Sequence, residues 1–187
     1  MSIILRPNLP PQKAPQLTLI TAVAVVQAIE EVTGLKPEIK WPNDILIGGK
    51  KVTGILTEMQ AESDRIDSVI IGIGMNVNQE NEDYPEDLRS IATSLFIESK
   101  RKVNRAELTR QLLLKLENLY FLYLKEGFYP IKLLWESYAV SIGKMITARM
   151  MNGSLHGKAI GITDDGVLLM EDEAGQIHQI YSADIEL

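Results

Sequence analysis

Three features of the sequence predict an α+β chain in which a mixed sheet packed with helices precedes a small β barrel. Apolar strand candidates gather around Gly48-Gly49, a two-residue hairpin signal. Two stretches on either side of those strands repeat apolar residues at helical spacing. Past about residue 142, short strand candidates alternate with Asn152-Gly153, Asp165-Gly166 and Ala174-Gly175 turns, the texture of a small all-β unit. The division falls at residues 1–140 and 141–187.

Each element follows from local chemistry. Residues 2–6 read as a buried strand, and Pro7 with Pro10-Pro11 makes an extended connection. Residues 15–33 read as a helix apolar around most of its circumference, ended by Gly34. Glu38–Trp41 is a strand running into a Trp-Pro corner. Asp44–Ile47 and Lys51–Gln60 flank the glycine pair, and Ser68–Asn76 follows a polar turn at Glu62-Ser63-Asp64-Arg65. Val69-Ile70-Ile71-Gly72-Ile73-Gly74 suits a central strand, and the polar residues 79–92 read as a loop. Asn104 is a helix cap with Glu107 three residues on, as in a capping box. Leu108, Leu112, Leu116, Leu119 and Tyr123 then form a core stripe, and Ile131, Leu134, Trp135 and Tyr138 mark a further helix.

Composition excludes several function classes. The chain has 187 residues, 45% of them hydrophobic and 24% charged, as in an ordinary globular protein. A net charge of −6 argues against a nucleic-acid-binding surface. With no cysteine there is no disulfide framework, thiolate nucleophile or zinc-thiolate site. Two histidines, His156 and His178, are too few for a His-rich metal centre and read as surface residues. Residues 1–16 hold four prolines and no secretory h-region. The apolar run Leu17–Ile29 is broken by Thr18, Thr21 and Gln27, short of the roughly 20 residues of a membrane span. Cytoplasmic residence without membrane association is the expectation.

Two clusters carry chemistry. In Lys40-Trp41-Pro42-Asn43-Asp44, the proline fixes the backbone beside two turn-forming polar residues. The hairpin returns Lys50 and Lys51 beside Asp44 and Ile45. Strand alternation would turn Lys51 to the same side as Thr53 and Ile55, making it the better candidate to meet an anionic ligand. A plain corner and a solvated hairpin lysine are the competing readings. In Gly72-Ile73-Gly74-Met75-Asn76, two glycines inside a strand invite close approach by a flat ligand, with Asn76 placed for a base or ribose. A strand end with a turn-forming Asn is the alternative. Val77 stands where a dinucleotide fingerprint needs glycine, and no GxxxxGK occurs, so neither phosphate loop applies.

In combination these residues resemble the catalytic domain of bacterial biotin protein ligases. The resemblance rests on Ser-Ile-Ile-Leu-Arg-Pro at 2–7, Lys-Trp-Pro-Asn-Asp at 40–44, Lys-Val-Thr-Gly-Ile-Leu at 51–56, Ile-Gly-Ile-Gly-Met-Asn at 71–76 and Leu-Leu-Trp-Glu at 133–136. It implies a class II synthetase-like domain followed by an SH3-like barrel. It also implies ATP- and Mg2+-dependent activation of biotin to biotinoyl-5′-AMP. The biotinoyl group then passes to a lysine of a biotin carboxyl carrier protein, as in acetyl-CoA carboxylase or pyruvate carboxylase. By resemblance Lys51 and Asp44 are catalytic. Lys51, Gly54, Gly72 and Gly74 contact biotin, and Lys40, Asn43 and Asn76 contact ATP or the adenylate. No metal ligand is assigned.

The sequence departs from the family pattern in one respect. Family members carry a Gly-Arg-Gly-Arg-x-Gly-Arg loop, and many carry a DNA-binding helix-turn-helix. Neither occurs in these residues, which contain no Gly-Arg dipeptide. The expectation is the carboxyl-terminal part of such a ligase, weakly active or inactive, with no nucleic-acid partner for this chain. A lipoate-type acyl-adenylating ligase is one alternative. A non-enzymatic remnant, forming a homodimer through a sheet edge, is another.

Overall fold

The computed structural model describes residues 1–62, 65–151 and 153–187. The expected Glu62–Arg65 and Asn152-Gly153 turns include residues 63, 64 and 152, which lie outside the described residues. The elements are β1 (Ser2–Leu5), α1 (Ala14–Thr33), β2 (Glu38–Lys40), β3 (Asp44–Ile47), β4 (Lys50–Ala61), β5 (Ile66–Met75), α2 (Leu95–Ser99), α3 (Arg105–Glu126) and α4 (Tyr129–Tyr138). Five strands complete the chain: β6 (Met145–Met150), β7 (Gly153–Ile162), β8 (Leu168–Glu171), β9 (Ile177–Ile180) and β10 (Asp184–Glu186).

The first sheet has the order β1-β5-β4-β3-β2, and every strand pair in it is antiparallel. This corrects the expected mixed sheet. The connections β2–β3 and β3–β4 are too short for a parallel crossover, and parallel pairing is confined to isolated bridges at Ile39–Ala139 and Lys51–Ala92. Gly48 and Gly49 form the two-residue hairpin at φ 57° and 79°, the left-handed region such a turn requires. β5 lies inside the sheet as expected. β1 is an edge strand with alternating exposure, not the fully buried strand its apolar run indicated. The second sheet, β10-β6-β7-β8-β9, is antiparallel throughout.

Helices cover one face of the first sheet. α1 is long and apolar enough to cross a membrane by length and composition alone. It is instead the central core helix, with 13 of its 20 residues buried. Each fully buried Ile or Leu there contributes about 1.5–3 kcal/mol. Gly34 closes it at φ 75°, its N–H donating to Glu30 O. The five stripe residues of α3 are buried against it. The short α2 was not legible in the sequence; Ser94 Oγ caps it by accepting from Ile97 N. The expected capping box at α3 is half formed. Asn104 Oδ1 accepts from Ala106 N and Glu107 N, but the Glu107 carboxylate turns to Arg110 and Gln111, which hold its pKa below the usual range. Both histidines sit at the surface of the second unit. His156 lies beside Thr147, and His178 Nε2 meets Asp172 Oδ2 at 2.6 Å, lowering the Asp172 pKa. Replacing the α3 cap, Asn104→Ala, is expected to lower stability by about 1 kcal/mol in urea unfolding, and an unchanged midpoint would show that the cap contributes nothing.

Candidate active site

Cross-strand register assembles the predicted residues. Lys40 pairs with Asp44, Asp44 with Gly54, and Gly54 with Gly74, one row across four strands. Paired residues share a face, and this face is turned away from α1. The opposite face carries buried Ile55, Ile71 and Ile73, with Thr57, whose hydroxyl bonds Thr18 of α1 at 2.8 Å. One step along the open face, Gly72 pairs with both Leu56 and Ser2. Ile4 and Leu56, 57% and 63% exposed, and half-buried Ile70 make this face apolar around its glycines. None of the three was singled out in the sequence, because an exposed aliphatic side chain carries no signal of its own.

Lys51 reaches the row by a β-bulge. The register shifts between Ile45 and Leu46, so Lys51 pairs with Leu46 and the extra residue is Val52. Val52 and Thr53 are both buried, and Lys51 falls on the side of Gly54, opposite Thr53 and Ile55. The expected sharing of a face with Thr53 and Ile55 is therefore corrected; strict alternation breaks at the bulge. Lys51 Nζ meets Asp44 Oδ1 at 2.6 Å, with side chains 48% and 23% exposed. A Cβ on Gly54 would lie 3.2 Å from Lys51 Cε and 3.3 Å from Nζ, so the missing side chain leaves the lysine room to cross the strand. As a half-exposed pair it is worth about 0–1 kcal/mol to stability; its interest is its position.

The backbone of Lys51 is fixed independently. Its N–H donates to Ile91 O at 2.8 Å and its carbonyl accepts from Thr93 N at 2.9 Å. Segment 91–93 thus runs beside β4 where β5 has ended. Lys50 is turned away, donating to Arg89 O at 3.0 Å.

The other predicted residues divide. Lys40 Nζ meets Asp184 Oδ1 of β10 at 3.2 Å and is drawn toward the second unit. Asn43 is a fastening: its Nδ2 donates to Ile55 O at 2.7 Å and its carbonyl accepts from Ile55 N at 3.0 Å. Asn76 is held by its backbone to Val52 O and Leu95 N; its side chain makes no hydrogen bond among the described residues. A cavity of about 580 Å³ lies beside the row between the Trp41-Pro42 corner, α1 and the turn at 163–167. Of the predicted residues it is lined only by Asn43. The row carries the chemical argument, because it alone joins the ion pair to the glycines. Among the described residues no group of three His, Cys, Asp or Glu side chains converges as for a metal ion.

Two family models match the chain, "Biotin/lipoate A/B protein ligase family" over residues 1–76 and "Biotin protein ligase C terminal domain" over residues 141–187. The bifunctional ligase/repressor BirA of Bacillus subtilis is 60% identical over all 187 residues, which cover 57% of that protein. The biotin–[acetyl-CoA-carboxylase] ligase of Paracoccus denitrificans is 30% identical over 94% of this chain and 74% of its own length. The chain belongs to the biotin protein ligase family. It spans little more than half the length of its BirA relatives. Among solved structures, a biotin protein ligase from Aquifex aeolicus in complex with biotin and ATP superposes with a TM-score of 0.83 at 30% identity, covering 99% of this chain and 75% of the other. The expected architecture of this ligase family, a synthetase-like domain followed by a small β unit, is thus the observed one.

Packing does not require glycine at positions 72 and 74 on the open face of this ligase-family sheet. A Cβ at Gly74 would meet only Gly54 O at 3.9 Å, and one at Gly72 would meet Leu56 O at 3.6 Å, ordinary contacts. Gly74→Val is therefore expected to fold with a melting temperature at or above the parent's, since valine suits a strand. A melting temperature below the parent's would show that packing at this position does require glycine.

Proposed function

We propose that the chain carries the acyl-activating site of a biotin protein ligase. In this reading biotin's carboxylate attacks the α-phosphate of ATP to give biotinoyl-5′-AMP and pyrophosphate, and a lysine amine of a biotin carboxyl carrier protein then takes the acyl group, releasing AMP and a proton. The observation that carries the reading is the Lys51–Asp44 pair at 2.6 Å, set over Gly54 and beside Gly74. Bringing a carboxylate to a triphosphate is opposed by charge repulsion. A preplaced ammonium offsets it where negative charge develops on the phosphate and acyl oxygens. Lys51 supplies that cation. Asp44 orients Lys51 in the first step and, in the second, is an acceptor for the incoming amine.

The glycine floor admits a flat ligand against the backbone, and Ile4, Leu56 and Ile70 cover its apolar part. Asn76, with a free carboxamide, meets the adenine end, and Lys40 and Asn43 form the wall toward the second unit. Mg2+ would enter with the nucleotide. That fits the donor set, since Asp44 is the one acid in the row and Mg2+ commonly takes one or two carboxylates beside phosphate oxygens. The match at residues 141–187 supports biotin over lipoate as the acyl substrate. A homodimer through a free sheet edge is compatible with the exposed β1, and light scattering would read it.

The test is biotin transfer to a purified carrier domain with Mg-ATP, read by intact mass. The 187 residues taken alone are expected to transfer more slowly than a full-length relative. Lys51→Ala is expected to lower the rate at least about a hundredfold, the scale of losing one oriented charge-stabilising group. Equal rates for parent and variant would remove Lys51 from the mechanism. Stabilisation by lipoate and not by biotin in a thermal-shift titration would reassign the substrate.

A further inference from the structure

The turn at Thr163–Val167 of the second unit is held from three directions. Lys13 bridges Asp165 at 2.8 Å and Gln16 Nε2 donates to Asp164 O at 2.6 Å, both from the N-terminal end of α1. Gln16 in turn accepts from the buried Tyr123 hydroxyl of α3, whose pKa burial pushes up to about 12. From α4, Lys132 bridges Asp164 at 3.3 Å and Glu136 Oε1 accepts from Ile162 N at 3.0 Å. The third direction is the Trp-Pro corner. Trp41, 4% exposed, donates its Nε1–H to Gly166 O at 3.2 Å across 125 residues of sequence.

Gly166 stands at φ 84°, and a Cβ there would come within 2.6 Å of Leu19 Cδ1. Glycine is therefore what lets this turn press onto α1 and offer its carbonyl to the indole. The indole N–H and the Gly166 carbonyl are both buried, with no water to replace either partner, so the contact holds the two units in one arrangement.

Trp41 is also one end of a three-residue corner. The other end, Asn43, is fastened to Ile55 by two hydrogen bonds, and Asp44 follows it directly. We infer that the Thr163–Val167 turn is a strut that sets the corner, making Trp41 a positioning residue acting through Asp44 on Lys51. The second unit then belongs to the active site through its contact with Trp41, without touching Lys51. The inference rests on the functional reading only in calling Asp44 and Lys51 a site.

Its test needs neither ligand nor turnover. Lysines of the folded chain are acetylated competitively with trace acetic anhydride, and Lys51 is compared by peptide mass spectrometry with the exposed Lys125. An ammonium held on a carboxylate at 2.6 Å is hindered, so Asp44→Asn calibrates the released lysine. Trp41→Phe, which keeps the ring and removes the donor, is expected to raise the Lys51 rate at least about threefold toward that value. Tyr138→Phe removes a single hydrogen bond to Glu30 elsewhere in the core and is expected to leave Lys51 unmoved. Should Trp41→Phe fail to fold, Gln16→Met loosens the same turn from α1 and is expected to give the same rise. A Lys51 rate unchanged in the turn variants overturns the strut, as does one unchanged in Asp44→Asn, since the pair through which Trp41 acts would not exist. Failure to bind biotinoyl-5′-AMP would count against the function and leave this result standing.

Discussion

The rest of the structure depends on the burial of α1. It is apolar on nearly every side, so it must be enclosed by several partners, and each partner takes its position from it. The first sheet lies against one side, with Thr18 bonded to Thr57; α3 and α4 pack elsewhere around it. The second unit reaches it through Leu19, Gln16 and Lys13. Because α3 and α4 pack around α1, the other face of the sheet is left open.

That division explains where the proposed site lies. An antiparallel sheet with one covered face needs apolar side chains only on alternate residues. The alternate set on the open face is free to be glycine, lysine and aspartate. Two irregularities then focus it. The bulge at Val52 moves Lys51 onto the open face, and the Asn43 clamp starts β3 at Asp44, where that carboxylate can meet the lysine. Neither irregularity is a large contribution to stability. Both decide which way a charged side chain points.

Much of this was legible locally. Gly48-Gly49 names its own hairpin, because the turn needs two residues at positive φ, and Gly34 ends α1 for the same reason. The α3 stripe is read from its period, and Lys40, Asp44, Gly54 and Gly74 from their motifs. What escaped was set by distant partners. Strict alternation put Lys51 on the wrong face because a bulge has no local signature in Lys-Val-Thr-Gly. The apolar run of β1 gave no hint that it would be an edge. The carboxylate of Glu107 went to Arg110, a competition that the capping pattern cannot weigh. The Trp41–Gly166 bond joins residues whose neighbourhood exists only after both units have folded.

The central claim is that the open glycine row, and not the larger cavity beside it, receives the activated acyl group. A crystal structure of the chain with biotinoyl-5′-AMP tests it most directly. The account predicts a ligand lying over Gly54, Gly72 and Gly74 with its acyl-phosphate within hydrogen-bond reach of Lys51 Nζ. A ligand seated instead between Trp41, Thr57 and Tyr181, leaving the Lys51–Asp44 pair untouched, would contradict it.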